Sequence, residues 1–414
     1  MMKKWLIWIW VIVLCVSIVV PVAAAASQIR IVVNGEKVDF PDAPPYIDRQ
    51  SNRTMVPARF VSEKLGAKME WNKDSNQVAF SMPNRTILVT IGQNNAQTAN
   101  GETIMLDTPA VIKNNRVMIP LRLIGELFQA QVEWDAQHRL AVVTTPPKIP
   151  KGTWIWDSRI IENDRDRILG FASEHDVNAI YLHMNRDIAP KVYADFIRNA
   201  NERQIRVEAL AGRPDWGLKS KQDQIKAFIA WVRQYNASVK SEERFAGLHF
   251  DIEPYLLAEW DANNRMILEN WLHNLRFIEQ EAKGSGLEIA LDVPFWLHNV
   301  KVPDTEYSFS AWLLEKFDSL VIMDYRNHAL GKDGIVANAQ AMLKEASALG
   351  KSLIIAVETA RSMEGDRVSF YSKNPDFMDQ ELQTAHRELS QHAGYAGMAI
   401  HDYRSWVAMV GSSE

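Results

Sequence analysis

The stretch Phe245-Ala-Gly-Leu-His-Phe-Asp-Ile-Glu-Pro-Tyr255 begins apolar, turns acidic and is closed by proline. A run bounded this way reads as a strand, Gly247–Ile252, buried along its length with its C-terminal end open to solvent. Because a strand has period two, His249, Asp251 and Glu253 point to one side, with Glu253 nearest the open end. The same pattern recurs at Thr153–Trp156, Ala179–His183, Arg206–Leu210, Glu288–Val293, Ser319–Met323, Ser352–Val357 and Gly397–His401. Amphipathic stretches such as Ala189–Arg203, Lys221–Tyr235, Ala262–Lys283 and Ile335–Leu349 lie between them. Such alternation implies an α/β fold with a parallel sheet and helices outside it. Eight units over 152–414 match a (β/α)8 TIM barrel in size. A doubly wound open sheet competes, but no Gly-rich phosphate turn follows Thr153–Trp156.

Chemistry-bearing residues collect at the strand ends: Trp156-Asp157, His183, Arg213, Asp251-Ile-Glu253, Asp292, Asp324-Tyr325-Arg326, Glu358 and His401-Asp402. In a barrel these ends converge on the face that carries function. Glu253, Asp251 and Tyr325 are the candidate catalytic groups. His249, Asp292, Trp296, Asp324, Glu358, His401, Trp156 and Trp216 are candidates for holding a substrate. Carboxylates this close cannot all ionise freely, so one should remain protonated near neutral pH. A protonated glutamic acid at a barrel mouth suits cleavage of a glycosidic bond. Trp156, Trp216, Trp296, Tyr255 and Tyr325 offer flat faces for sugar rings, whereas Trp154 fits core or pocket equally.

The strand Ala246-Gly-Leu-His-Phe-Asp-Ile-Glu253 resembles the signature of chitinase-type (family 18) glycoside hydrolases, Asp-Gly-x-Asp-x-Asp-x-Glu. Gly247, Asp251 and Glu253 match, while Ala246 and His249 stand where that family has aspartates. Met323-Asp-Tyr325 matches its Met-x-Tyr, and His401 replaces its usual tryptophan floor. The resemblance implies Glu253 as acid/base, Asp251 orienting a substrate acetamido group, and Tyr325 holding that group while its oxygen attacks the anomeric carbon. Two alternatives stay open. The site is a degenerate one that binds sugar without cutting it, or Glu253 and Glu358 act as the acid/base and nucleophile of a retaining glycosidase.

Ahead of the barrel, Arg53-Thr-Met-Val-Pro-Ala-Arg-Phe-Val-Ser-Glu-Lys-Leu-Gly-Ala-Lys-Met-Glu-Trp71 recurs 63 positions later, from Arg116 to Trp134. Each copy reads as a strand into proline, a helix, then a strand near tryptophan, with Pro57 and Pro120 suited to a first helical turn. Two copies suggest one pseudo-symmetric α+β module over 27–147. It resembles the copper amine oxidase N-terminal-like stalk domain. Its one histidine, His138, cannot form a copper-binding imidazole cluster. Arg59 and Arg122 read as structural or rim charges, and the module as a spacer or cell-surface attachment unit. The Pro-rich segment 144–152 marks the boundary.

Residues 1–26 carry Lys3 and Lys4, an apolar run and Ala24-Ala-Ala26, as a secretory signal peptide would; an uncleaved anchor is the alternative. Cys15, the only cysteine, falls inside that segment, so the rest of the chain has neither a disulfide nor a thiolate. A net charge of -5 lacks the basic footprint of nucleic-acid binding. No H-x-H, H-E-x-x-H, Walker A or G-x-S-x-G pattern occurs; a metal site built from His183, His249 and His401 is a remote alternative. The expectation is a secreted protein acting on a carbohydrate polymer, with no cofactor or metal, no nucleic-acid partner, and the cell wall as a possible point of attachment.

Overall fold

The computed structural model describes residues 28–82, 85–98, 103–127, 130–145 and 149–411. The expected leader over 1–26 lies outside them. The chain divides into two compact units, one holding residues up to 78, 89–95 and 105–145, the other 79–88, 96–104 and 146–414.

The second unit contains the alternation read from the sequence. Its strands are β1 Lys151–Ile155, β2 Val177–His183, β3 Arg206–Ala211, β4 Gly247–Asp251, β5 Glu288–Pro294, β6 Ser319–Met323, β7 Leu353–Glu358 and β8 Tyr395–His401. Each is followed by a helix: α1 Arg165–Glu174, α2 Pro190–Glu202, α3 Gln222–Ser238, α4 Trp260–Ala282, α5 Phe309–Lys316, α6 Ile335–Leu349, α7 Pro375–Leu389 and α8 Tyr403–Gly411. All strands pair in parallel with their sequence neighbours, and β1 pairs with β8, closing the barrel.

Local chemistry sets several helix limits. Pro190 and Pro375 open α2 and α7, where a missing N–H costs nothing. The Asn374 side chain accepts from Phe377 N–H, and Ser308 caps α5 through Ala311 N–H. Gly350 ends α6 with φ +64°, a conformation glycine adopts without strain.

Period-two alternation then divides each strand between two cores. Trp154, Tyr181, Leu210, Val321, Ala356 and Ala399 fill the barrel interior. Their neighbours, including Ile155, Leu182, Ala209, Ile322 and Ile355, pack outward in the core that holds the helices. Parity along a strand therefore decides which face a polar residue reaches.

In the first unit, Arg53–Pro57 and Arg116–Pro120 are antiparallel neighbours at the centre of a four-stranded sheet. Met55 faces Pro120, Val56 faces Ile119 and Pro57 faces Met118. Exchanging the two repeats maps this register onto itself, so a pseudo-two-fold axis passes near the Val56–Ile119 pair. Each strand leads into a short helix, Ala58–Lys64 or Leu121–Leu127, and then a strand that reaches the repeat's tryptophan. Pro57 sits one position earlier than expected, as the extended N-cap with ψ 115°, because it also ends the strand. Arg59 lies 3.9 Å from Glu63 and Arg122 3.8 Å from Asp107, and His138 is bonded to Asp135.

Candidate active site at the barrel mouth

The polar residues inside the barrel form two layers. In the lower layer, His249 is fully buried on β4. Its Nδ1 lies 2.9 Å from Glu208 Oε2 on β3, and its Nε2 lies 2.9 Å from Asp292 Oδ1 on β5. The other oxygens of the two carboxylates are also occupied. Arg206 Nε donates to Glu208 Oε1 at 2.8 Å, and the Trp154 indole donates to Asp292 Oδ2 at 3.0 Å. Tyr181 lies against the imidazole, with ring centroids 4.0 Å apart. Burial opposes the imidazolium, but Asp292 and Glu208 outweigh it and push the His249 pKa up to about 10. Burial likewise works against the Glu208 carboxylate, and His249 with Arg206 holds its pKa below the ordinary value.

The upper layer lies above His249 on the same strand face. Asp251 stands opposite Asp292 in the β4–β5 register. Its Oδ1 is buried and has no partner among the described residues. Burial raises the Asp251 pKa well above the ordinary range; Asp292 and Glu253 add to the rise and His249 moderates it. Gly212, beyond the end of β3, permits this packing, since a Cβ there would lie 1.8 Å from the Asp251 carbonyl oxygen. Glu253 follows the strand and is half-buried. Burial raises its pKa, opposed by the Tyr255 hydroxyl, which donates to Oε2 at 2.5 Å. Oε1 is then the oxygen on which a transferable proton would sit. Trp296 packs edge-on against Tyr255, the acid's hydrogen-bond partner, with centroids 5.1 Å apart.

Tyr325, two residues beyond β6, packs against the inner cluster. Burial raises its hydroxyl pKa strongly, and Glu358, Asp251, Asp292 and Glu253 add to the effect. His401 ends β8 with its ring 5.8 Å from that of Tyr325. Its Nδ1 is 2.8 Å from Glu358 Oε2, and its Nε2 accepts from the Trp156 indole at 2.9 Å. Burial disfavours the imidazolium, but Glu358 more than offsets this and raises the pKa. Against that pull, the indole can only donate, so the observed contact requires a lone pair at Nε2 and holds His401 as the neutral Nδ1–H tautomer.

Several expectations for substrate contact need correction. His249 and Asp292 are sealed beneath the mouth, and every hydrogen-bonding atom of both side chains is already engaged. Asp324 has the opposite parity to Tyr325, so its carboxyl turns outward and accepts from Asn338 on α6. Burial there lifts its pKa to about 8. Trp216 is 8% exposed; it packs in the outer core against Phe228 and donates to Gln224, so it is no pocket wall. Glu358 accepts the backbone N–H groups of Thr359 and Ala360 on Oε1 and bonds His401 through Oε2. These contacts make it an anchor for His401. Trp154 belongs to the core. Trp156 keeps its place at the mouth, beside His183 and His401.

Glu208 escaped the sequence reading. Its signal was there: in Arg206-Val-Glu208-Ala-Leu210, parity places a carboxylate inside the barrel, opposite Gly247 and so two residues below the level of His249 on the neighbouring strand.

Residues 32–143 match the copper amine oxidase N-terminal domain family. Solved structures similar to the chain include a chitinase from Chromobacterium violaceum ATCC 12472, 13% identical, covering 64% of this chain and 98% of that one, with a TM-score of 0.41. A GH18 chitinase from Pseudoalteromonas aurantia is 9% identical over 64% of this chain and 100% of its own, with a TM-score of 0.44. The PgaB (BpsB) glycoside hydrolase domain from Bordetella bronchiseptica is 12% identical over 64% and 97%, with a TM-score of 0.39. No curated protein matches the chain.

Proposed function

We propose that the barrel is a glycoside hydrolase acting on an N-acetylated amino-sugar polymer, such as a cell-wall or chitin-like glycan. The carrying observation is the pair at the open end of β4: Asp251 with an unpartnered buried oxygen, and Glu253 held toward its protonated form. Glu253 gives its proton to the glycosidic oxygen as the bond to the anomeric carbon breaks. The substrate's acetamido oxygen attacks that carbon from the other side, and water later opens the cyclic intermediate with Glu253 as base. Asp251 orients the amide and stabilises its developing charge, Tyr325 binds the acetamido group, and Trp296 and Trp156 flank the sugar. Export by the N-terminal segment and a spacer or wall-attachment role for the duplicated module complete this reading.

A second reading, binding without cleavage, draws on Ala246 and His249 at positions where the resembling family has aspartates. Reducing-end release from a fully N-acetylated polymer and its de-N-acetylated counterpart separates the two. Cleavage of the acetylated polymer alone is expected; equal cleavage of both would remove substrate assistance. Binding with no released ends would establish the second reading.

A further inference from the structure

His249 stands where an aspartate would complete the Asp-x-Asp-x-Glu series, and its surroundings define its charge. A neutral imidazole has one N–H and one lone pair. Here both nitrogens face carboxylate oxygens at 2.9 Å. A lone pair on either side would meet another lone pair unless that carboxylate took up a proton. The partners already have donors on their remaining oxygens, from Arg206 and from Trp154. The arrangement that satisfies every atom is Glu208⁻–His249⁺–Asp292⁻. Arg206, itself 2.5 Å from Glu288, closes it at the base of the barrel.

This triad fixes Asp292. His249 holds Oδ1 and Trp154 holds Oδ2 of Asp292, which stands opposite Asp251 in the register. Asp251 Oδ1, above it, is buried and has no partner among the described residues. We infer that His249 is a positioning residue: clamped as an imidazolium between Glu208 and Asp292, it anchors Asp292 as an anion beneath Asp251 and so sets the proton occupancy of the Asp251–Glu253 pair. The catalytic part of this inference rests on the hydrolase reading above; the charge state of His249 does not. Other groups around the ring belong to the same balance: Arg206 and Glu208 on β3, Asp292 on β5, Asp251 on β4, the Tyr181 hydroxyl on β2, and His401 on β8. Removing the cation takes away the one group that lowers the Asp251 pKa, so the mouth pair should hold its proton to higher pH.

The test begins with nitrogen NMR of histidine in the full chain. His249 should remain doubly protonated from pH 6 to 8; a neutral ring at pH 7 overturns the inference, whether or not the protein cleaves glycans. Next, carboxyl-carbon NMR follows Asp251 and Glu253 in wild type and His249→Gln. The expected result is a rise of roughly one unit in the midpoint of the pair. An unmoved midpoint in a folded variant also overturns it. Should His249→Gln not fold, Glu208→Gln serves instead: it keeps the Asp292 contact, so His249 should titrate at a lower pH while the mouth pair moves much less. On an active enzyme, the same upward shift appears in the alkaline limb of the pH–rate profile with KM nearly constant.

Discussion

Two histidines point into the same barrel, and they carry different charges. His249 faces a carboxylate on each side, and His401 faces a carboxylate on one side and an indole N–H on the other. The first arrangement demands a cation; the second holds a neutral ring. Burial alone would predict neutrality for both, so the donor or acceptor character of the second partner decides. The contrast extends to the layers they occupy. The side chains of His249, Glu208 and Asp292 have every polar atom bonded, with the Tyr181 hydroxyl beside them unpartnered, whereas at the mouth Asp251 keeps an open oxygen. In the proposed reading, ligand chemistry belongs to the upper layer, and the lower layer sets its electrostatics.

The largest effect should come from the upper layer. Glu253→Gln removes the proton donor while preserving shape, so glycan cleavage should fall about 10²–10⁴-fold with little change in thermal midpoint. Next is the lower layer. His249→Leu leaves two buried carboxylates facing an apolar group and should cost about 3–5 kcal/mol in urea unfolding. The pH dependence supplies a finer test. The folded pKa of His249 is raised, so its contribution is fully present below about 6.5 and disappears as pH rises through about 10. Glu208, whose pKa is lowered, contributes above its unfolded value near 4.5, and that part is lost as pH falls. The stability gap between wild type and His249→Gln should therefore narrow on the alkaline side. A gap constant from pH 6 to 11 would argue for a neutral His249. The smallest change is expected from Trp156→Phe. Losing the indole N–H frees Nε2 to take a proton, so the His401 pKa should rise by about half a unit in a histidine NMR titration. A fall would mean that Trp156 does not hold the neutral tautomer.

The barrel was legible in the sequence because parallel strands buried on both faces are written as short apolar runs between helical stretches. The run at Ser319–Met323 matches its observed limits, and the others shift by one or two residues. The site was legible in part. Strand-end position gives the height of a residue in the barrel, and that placed Asp251, Glu253 and Tyr325 near the mouth. Height does not give the face. Asp324 follows Met323 at a strand end but lies on the outward parity, and Trp216 sits in the turn Pro214–Gly217, where period two no longer applies. Nor does height tell open from sealed: His249 and Asp292 are buried by each other and by Glu208 and Trp154, from strands far apart in sequence. Those pairings depend on register around the closed sheet, which no local pattern contains.

The central claim is that the substrate's own acetamido group attacks while Glu253 supplies the proton. Following the anomeric proton of the first product by NMR, during cleavage of an N-acetylated oligomer, tests it most directly. The account predicts a product released with its original anomeric configuration. An inverted first product, which needs direct attack by water, or no product from any such oligomer, would contradict it.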